Sequence, residues 1–168
     1  MMIVFDVSTL ILLAKIDILK TIIYTREVFI TKEVEGEATC KPELLDAKII
    51  IELINTGKIG VVKVKNQALF KKLQEDFVLA EGEASALLLA QQKQAILATD
   101  DGQAIKACKV LGVKFVTAVH FLLDAFYKKR IGKELALVKL ERLEQLGRYN
   151  DRIIFDARSK IEEGRGEK

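Results

Sequence analysis

Short apolar runs alternate with amphipathic stretches along the first two thirds of the chain, and the last third is amphipathic throughout. Ile3 to Phe5, Val28 to Ile30, Ile59 to Val64, Ala95 to Ala98 and Val113 to Val116 are short, mostly β-favouring and bounded by polar residues, so they read as strands. The stretches between them carry helix signals: a helical pattern from Leu10, Thr31 as a cap for TKEVEGEA, Pro42 opening a helix through Asn55 with Gly57 as its stop, a helix around Gln67 to Asp76, and Gly102 to Leu111 closed by Gly112. Ala84 to Ala90 is apolar apart from Ser85, too continuous for a surface helix, so the helix that Glu83 opens is expected to be buried on most sides.

This alternation predicts right-handed crossovers and an α/β fold with a mainly parallel, about five-stranded sheet covered on both faces. Beyond Thr117 the pattern is wholly helical: one helix through Tyr127, then Lys133 to Leu146 and Arg152 to Glu162. Ile153, Ile154, Ala157 and Ile161 are expected to form an apolar stripe on the last of these, packed on the body or on a second subunit, and the tail GRGEK is expected to fray. The organisation read from this is an α/β domain over 1–130, with C-terminal helices over 131–168 packed on that domain or on a dimer partner.

At 168 residues, half of them hydrophobic, the chain has enough apolar material for one core without cross-links. Cys40 and Cys108 stand in no Cys-x-x-Cys or Cys/His pattern, so neither a disulfide framework nor zinc is expected. The start, MMIVFD, has no basic leader, and Lys15 and Asp17 interrupt the next hydrophobic stretch before the ~20 residues of a membrane span. A soluble cytoplasmic protein is expected. The net charge of +3 is weak support for a polyanionic partner.

Chemistry has few other candidates. Neither Gly-x-Gly-x-x-Gly nor a P-loop pattern occurs, and the single histidine, His120, lies in a helical stretch and is read as structural. Carboxylates remain. Asp6 follows the first strand and the doublet Asp100–Asp101 follows the fourth, where α/β sheets place their ligands. Glu83 opens the buried helix, and Glu33, Glu35 and Glu37 crowd the helix after the second strand, where residue pattern alone does not choose among them. Two carboxylates ~5 Å apart repel by roughly 3 kcal/mol at an effective dielectric near 20, so a cluster holds protons or a hard cation. An all-oxygen set favours Mg²⁺ or Mn²⁺. For any single acid, complementing a helix dipole is the simpler explanation.

FDVSTLI after the first strand, VEGE after the second, GEASALLLA opening the buried helix and LATDDGQA ending the fourth strand resemble a PIN domain, a family of metal-dependent nucleases with a three-layer α/β/α sandwich. The resemblance runs in order over about residues 3 to 120. It implies Asp6 followed by Ser8, Glu37 from Val34-x-x-Glu37, Glu83 from Gly-Glu-Ala and Asp101 from Thr99-x-Asp101 as the metal-organising and catalytic residues. Many members carry a further acid at the position of Gln103, and Asp100 is a candidate substitute for it.

The resemblance implies a Mg²⁺- or Mn²⁺-dependent endoribonuclease acting on RNA, expected to be a homodimer, with an antitoxin protein as a possible partner. The competing expectation is a non-catalytic module that binds RNA or a protein partner. A haloacid-dehalogenase-type phosphohydrolase also places an aspartate after its first strand, but it asks for Asp-x-Asp, and Asp6-Val7-Ser8 does not supply that.

Overall fold

Ile3, Val4 and Phe5 are all buried, although successive side chains of a strand point to opposite faces, so β1 (Met2–Phe5) is covered on both sides. It is the middle strand of a five-stranded sheet in the computed structural model, which describes residues 1–164. The other strands are β2 (Glu27–Thr31), β3 (Ile59–Val62), β4 (Ile96–Ala98) and β5 (Phe115–Val116), in the order β3-β2-β1-β4-β5 with every neighbouring pair parallel. Ten helices accompany them among the described residues: α1 (Val7–Lys15), α2 (Leu19–Ile23), α3 (Lys32–Ala38), α4 (Leu45–Asn55), α5 (Gln67–Phe77), α6 (Glu81–Lys93), α7 (Gly102–Leu111), α8 (Ala118–Tyr127), α9 (Lys133–Leu146) and α10 (Asp151–Glu163). The result is an α/β/α arrangement.

The strand order reverses direction at β1. From there β2 and β3 lie on one side and β4 and β5 on the other, leaving a crevice at the carboxyl ends of β1 and β4. Ile3 pairs with Ile96 and Phe5 with Ala98, so the residues that follow, Asp6 and Thr99, leave the sheet together. Asp6 N–H still donates to Ala98 O at 3.0 Å.

Local chemistry explains where the observed boundaries depart from those expected. The helix expected from Pro42 begins at Leu45, because Leu44 N–H closes a turn onto Lys41 O. α1 ends at Lys15, and Asp17, in the left-handed region at φ 55°, separates it from α2, which the helical pattern from Leu10 onward did not distinguish from α1. β5 is shorter than Val113–Val116 because Val113 N–H is taken by Cys108 O in the turn around Gly112 at φ 68°. α6 is buried as expected, with every residue from Ala84 to Ala90 inside, and it crosses β1, β2 and β4.

The C-terminal helices pack on the same chain. α9 lies against α8, and α10 lies against both. Ile154, Ala157 and Ile161 are buried there, whereas Ile153 is 47% exposed, so three of the four stripe residues are covered without a second subunit. Lys139 of α9, also buried, donates its ammonium to Ile16 O at 2.6 Å and Asp17 O at 3.1 Å, tying this helix to the end of α1. Of the tail expected to fray, Arg165 to Lys168 lie outside the described residues. None of the described helices is long and apolar enough to cross a membrane.

Candidate active site

Four of the helices that begin at the carboxyl edge of the sheet have the N–H groups at their starts held by acids. Asp6 caps α1 through Thr9 N–H at 3.1 Å. Asp101 caps α7 through Gln103 and Ala104 N–H, both at 2.8 Å. Asp100 accepts the first N–H of α8, from Ala118, at 3.0 Å. At α6, Glu83 reaches back to Ala80 N–H at 2.9 Å, and Glu37 accepts Gly82 N–H at 3.1 Å from across the crevice. Unsatisfied donors at helix starts favour negative charge, so the fold itself gathers these carboxylates.

Asp6 lies at the bottom and is completely buried. One of its oxygens accepts Ser8 Oγ at 2.7 Å as well as Thr9 N–H, and the other accepts the Thr99 hydroxyl. The same two hydroxyls reach outward. Ser8 Oγ accepts Asp100 N–H and Thr99 Oγ1 accepts Asp101 N–H, both at 3.2 Å, so Asp6 locates both members of the doublet through one hydroxyl each. Burial pushes the Asp6 carboxyl from an ordinary 3.8 up to about 7, against the pull of its three donors, with a smaller upward push from the charge of Asp100.

Asp100 is engaged on both oxygens. Oδ2 accepts Thr9 Oγ1 at 2.6 Å, and Oδ1 accepts the Tyr149 hydroxyl at 2.5 Å. Burial holds its carboxyl above the usual range despite these bonds. Tyr149 is raised in turn by burial and by Asp100, so the phenol stays protonated and donates.

Glu37, Glu83 and Asp101 differ from these two. Each has one oxygen on backbone N–H and the other in no hydrogen bond among the described residues. The Glu83 carboxyl is held above its ordinary value by burial first, and then by the charges of Asp101 and Glu37. The structure thus brings Glu83 into the field of Glu37 and Asp101, and Asp6 into that of Asp100. No three His, Cys, Asp or Glu side chains among the described residues stand close enough to enclose an ion directly. The donor set still fits a hydrated hard cation, since Mg²⁺ keeps several waters and is commonly held by one or two carboxylates.

Thr9 and Tyr149 were not singled out from the sequence. Thr9 is one of two hydroxyl residues after Asp6, and Tyr149 sits in a polar loop of the helical tail with no motif around it. Gln103, where the resemblance leads one to expect a further acid, is an exposed residue in the first turn of α7. His120 is exposed on α8, away from this network.

The family model described as PIN domain (DUF3368) matches residues 2–163. The chain belongs to the PIN-domain family. Among curated proteins no similar sequence is found. PIN domains are generally nucleases and generally use divalent metals, which accords with acids converging on one sheet edge. In this PIN domain the matched stretch extends through α9 and α10, so the loop carrying Tyr149 belongs to it.

Proposed function

We propose that this PIN domain is a Mg²⁺- or Mn²⁺-dependent endoribonuclease with Asp6, Glu37, Glu83 and Asp101 as its metal-organising residues. The observation that carries the reading is that Glu83 lies in the electrostatic field of Glu37 and Asp101 with no ion pair to any of the three among the described residues, each retaining an oxygen unengaged by them. Three acids kept together without a cationic side chain repel one another, and a divalent cation relieves that repulsion.

A cation held by Glu83 with Glu37 or Asp101 supplies Lewis acidity toward a phosphodiester. The chain's own part is geometric. Gly82 N–H orients Glu37, Ala80 N–H orients Glu83, and the α7 start orients Asp101, so each free oxygen is held in place before substrate arrives. Asp6 fixes the doublet from beneath, and its carboxyl exchanges a proton near neutral pH.

Purified protein with Mn²⁺ is expected to cleave a single-stranded or structured RNA, to stop on addition of EDTA and to resume on adding Mn²⁺ back. RNA binding with no cleavage under any divalent metal would replace this reading with a non-catalytic module. A homodimer and an antitoxin partner are further parts of the proposal. Exposed Leu135, Val138, Ile153 and Phe155 on the C-terminal helices support association. Light scattering and co-purification from the native host test these two parts.

A further inference from the structure

The loop between α9 and α10 contributes to the acidic crevice from more than 40 residues beyond its nearest acid in sequence. It is built with little slack. A Cβ on Gly147 would meet the Tyr149 ring at 2.3 Å, so the absence of a side chain there lets the ring fold back, and the ring's hydroxyl then bonds to Asp100. Arg148 lies between these two fixed residues.

Arg148 and Lys15, the last residue of α1, line one cleft of about 320 Å³ whose floor includes Asp100 and Asp101 and whose apolar wall includes Ile11 and Leu146. Its size is that of a small-ligand site. Both cations are exposed, and neither side chain forms an ion pair or a hydrogen bond among the described residues. Cationic side chains beside acids usually pair with them. Here they stand on the rim of the same cleft and leave the acids alone, a division that suits a ligand carrying its own negative charge next to a cation-binding floor.

We infer that Lys15 and Arg148 form a phosphate-binding subsite for the backbone of a single-stranded RNA, and that Tyr149 is a positioning residue that anchors Arg148 through Asp100. This deepens the nuclease reading and rests on it. Arg148 offers the planar fork that matches phosphate oxygens, Lys15 a point charge, and the apolar wall a surface for the adjoining sugar and base.

The test is binding of a fluorescein-labelled single-stranded RNA in EDTA, so that no cleavage intervenes, followed by anisotropy from 50 to 200 mM salt, with steady-state cleavage in Mn²⁺ alongside. Lys15→Gln and Arg148→Gln are each expected to weaken binding about 3- to 10-fold and to reduce the slope of log K against log salt by about 0.7, the increment for one phosphate contact on a single strand. In Mn²⁺ they should raise KM with kcat within about 3-fold of the parent, as loss of uniform binding does. Tyr149→Phe removes no charge, so it should weaken binding with the slope unchanged. Lys114→Gln, just before β5 at the opposite edge of the sheet, should alter nothing. Parent-like affinity and slope in Lys15→Gln and Arg148→Gln overturn the inference, as does an equal loss in Lys114→Gln. If the parent cleaves RNA while these variants match it, only the subsite is wrong. If the parent neither binds nor cleaves RNA, the nuclease reading fails with it.

Discussion

Thr9 donates its hydroxyl to Asp100 at 2.6 Å, so the first turn of α1 grips the acid that follows β4. With Tyr149 and Ala118 also bonded to it, Asp100 has neither oxygen open, while its neighbour Asp101 has one bonded to the α7 start and one free. Asp101→Asn is therefore expected to cost Mn²⁺-dependent RNA cleavage more than about 100-fold, above the ~10–100-fold typical of groups that only support a ligand. Its melting temperature without metal should barely move, because asparagine caps a helix as well as aspartate does. Asp100→Asn should lose less activity. Equal or reversed losses in a matched cleavage assay would remove the assignment of Asp101.

The buried Asp6 makes stability depend on pH in a defined direction. Its folded-state value of about 7 lies above the ordinary 3.8, so the folded protein binds the proton more tightly than the unfolded chain does. The cost of ionising it is absent below about pH 4, grows as pH rises and is complete above about 7, amounting to a few kcal/mol at ~1.4 kcal/mol per unit. Asp6→Asn should thus melt higher than the parent in EDTA at pH 8, with the gap closing by pH 5. A gap that widens toward acid would contradict the burial argument.

Divalent metal should act in the opposite sense. A cation that binds only the folded chain adds about 2.7 kcal/mol at 100 times its Kd, which for a protein of this size raises the melting temperature by roughly 5–10 °C. Asp6→Asn should lose most of that rise. Differential scanning fluorimetry across a Mn²⁺ series decides it, and parallel curves for mutant and parent would place the metal elsewhere.

Gly82 leaves no room for a side chain between α6 and Glu37. A Cβ there would meet Glu37 Oε1 at 2.8 Å and Val7 Cγ2 at 3.0 Å. Gly82→Ala should leave α6 helical, since alanine favours helix by up to about 1 kcal/mol, yet displace the Glu37 carboxylate. The expected result is Mn²⁺ affinity reduced about 10-fold by calorimetry with the circular dichroism spectrum unchanged. Unchanged affinity would take Glu37 out of the site.

Much of this architecture was legible because apolar periodicity and helix punctuation agree along most of the chain. Gly112 ends α7 where its φ of 68° requires, and Thr31 caps α3 through Val34 N–H. α2 escaped because Ile16 to Ile23 is apolar on both sides of the break at Asp17, so periodicity gave no sign of it. Asp6, Glu37, Glu83 and Asp101, the residues proposed to organise a metal, each stand in a short motif, whereas the buried network around Asp100 has none. Thr9, Ala118 and Tyr149 lie 91, 18 and 49 residues from Asp100, and only tertiary packing brings them together. Tyr149 in particular does its work with a hydroxyl, and sequence pattern does not distinguish a bonded phenol from a solvated one.

The strand order has a consequence during synthesis. Asp6 leaves the ribosome well before the strand that must lie beside β1 to complete its surroundings, since β4 comes some 90 residues later and Tyr149 later still. Until then Asp6 has its Ser8 and Thr9 donors but not the Thr99 hydroxyl, and neither Asp100 nor Asp101 exists to be placed. A nascent chain, or one released early, therefore carries the motif that follows the first strand without an assembled crevice, and the crevice is complete only once the loop between α9 and α10 has docked.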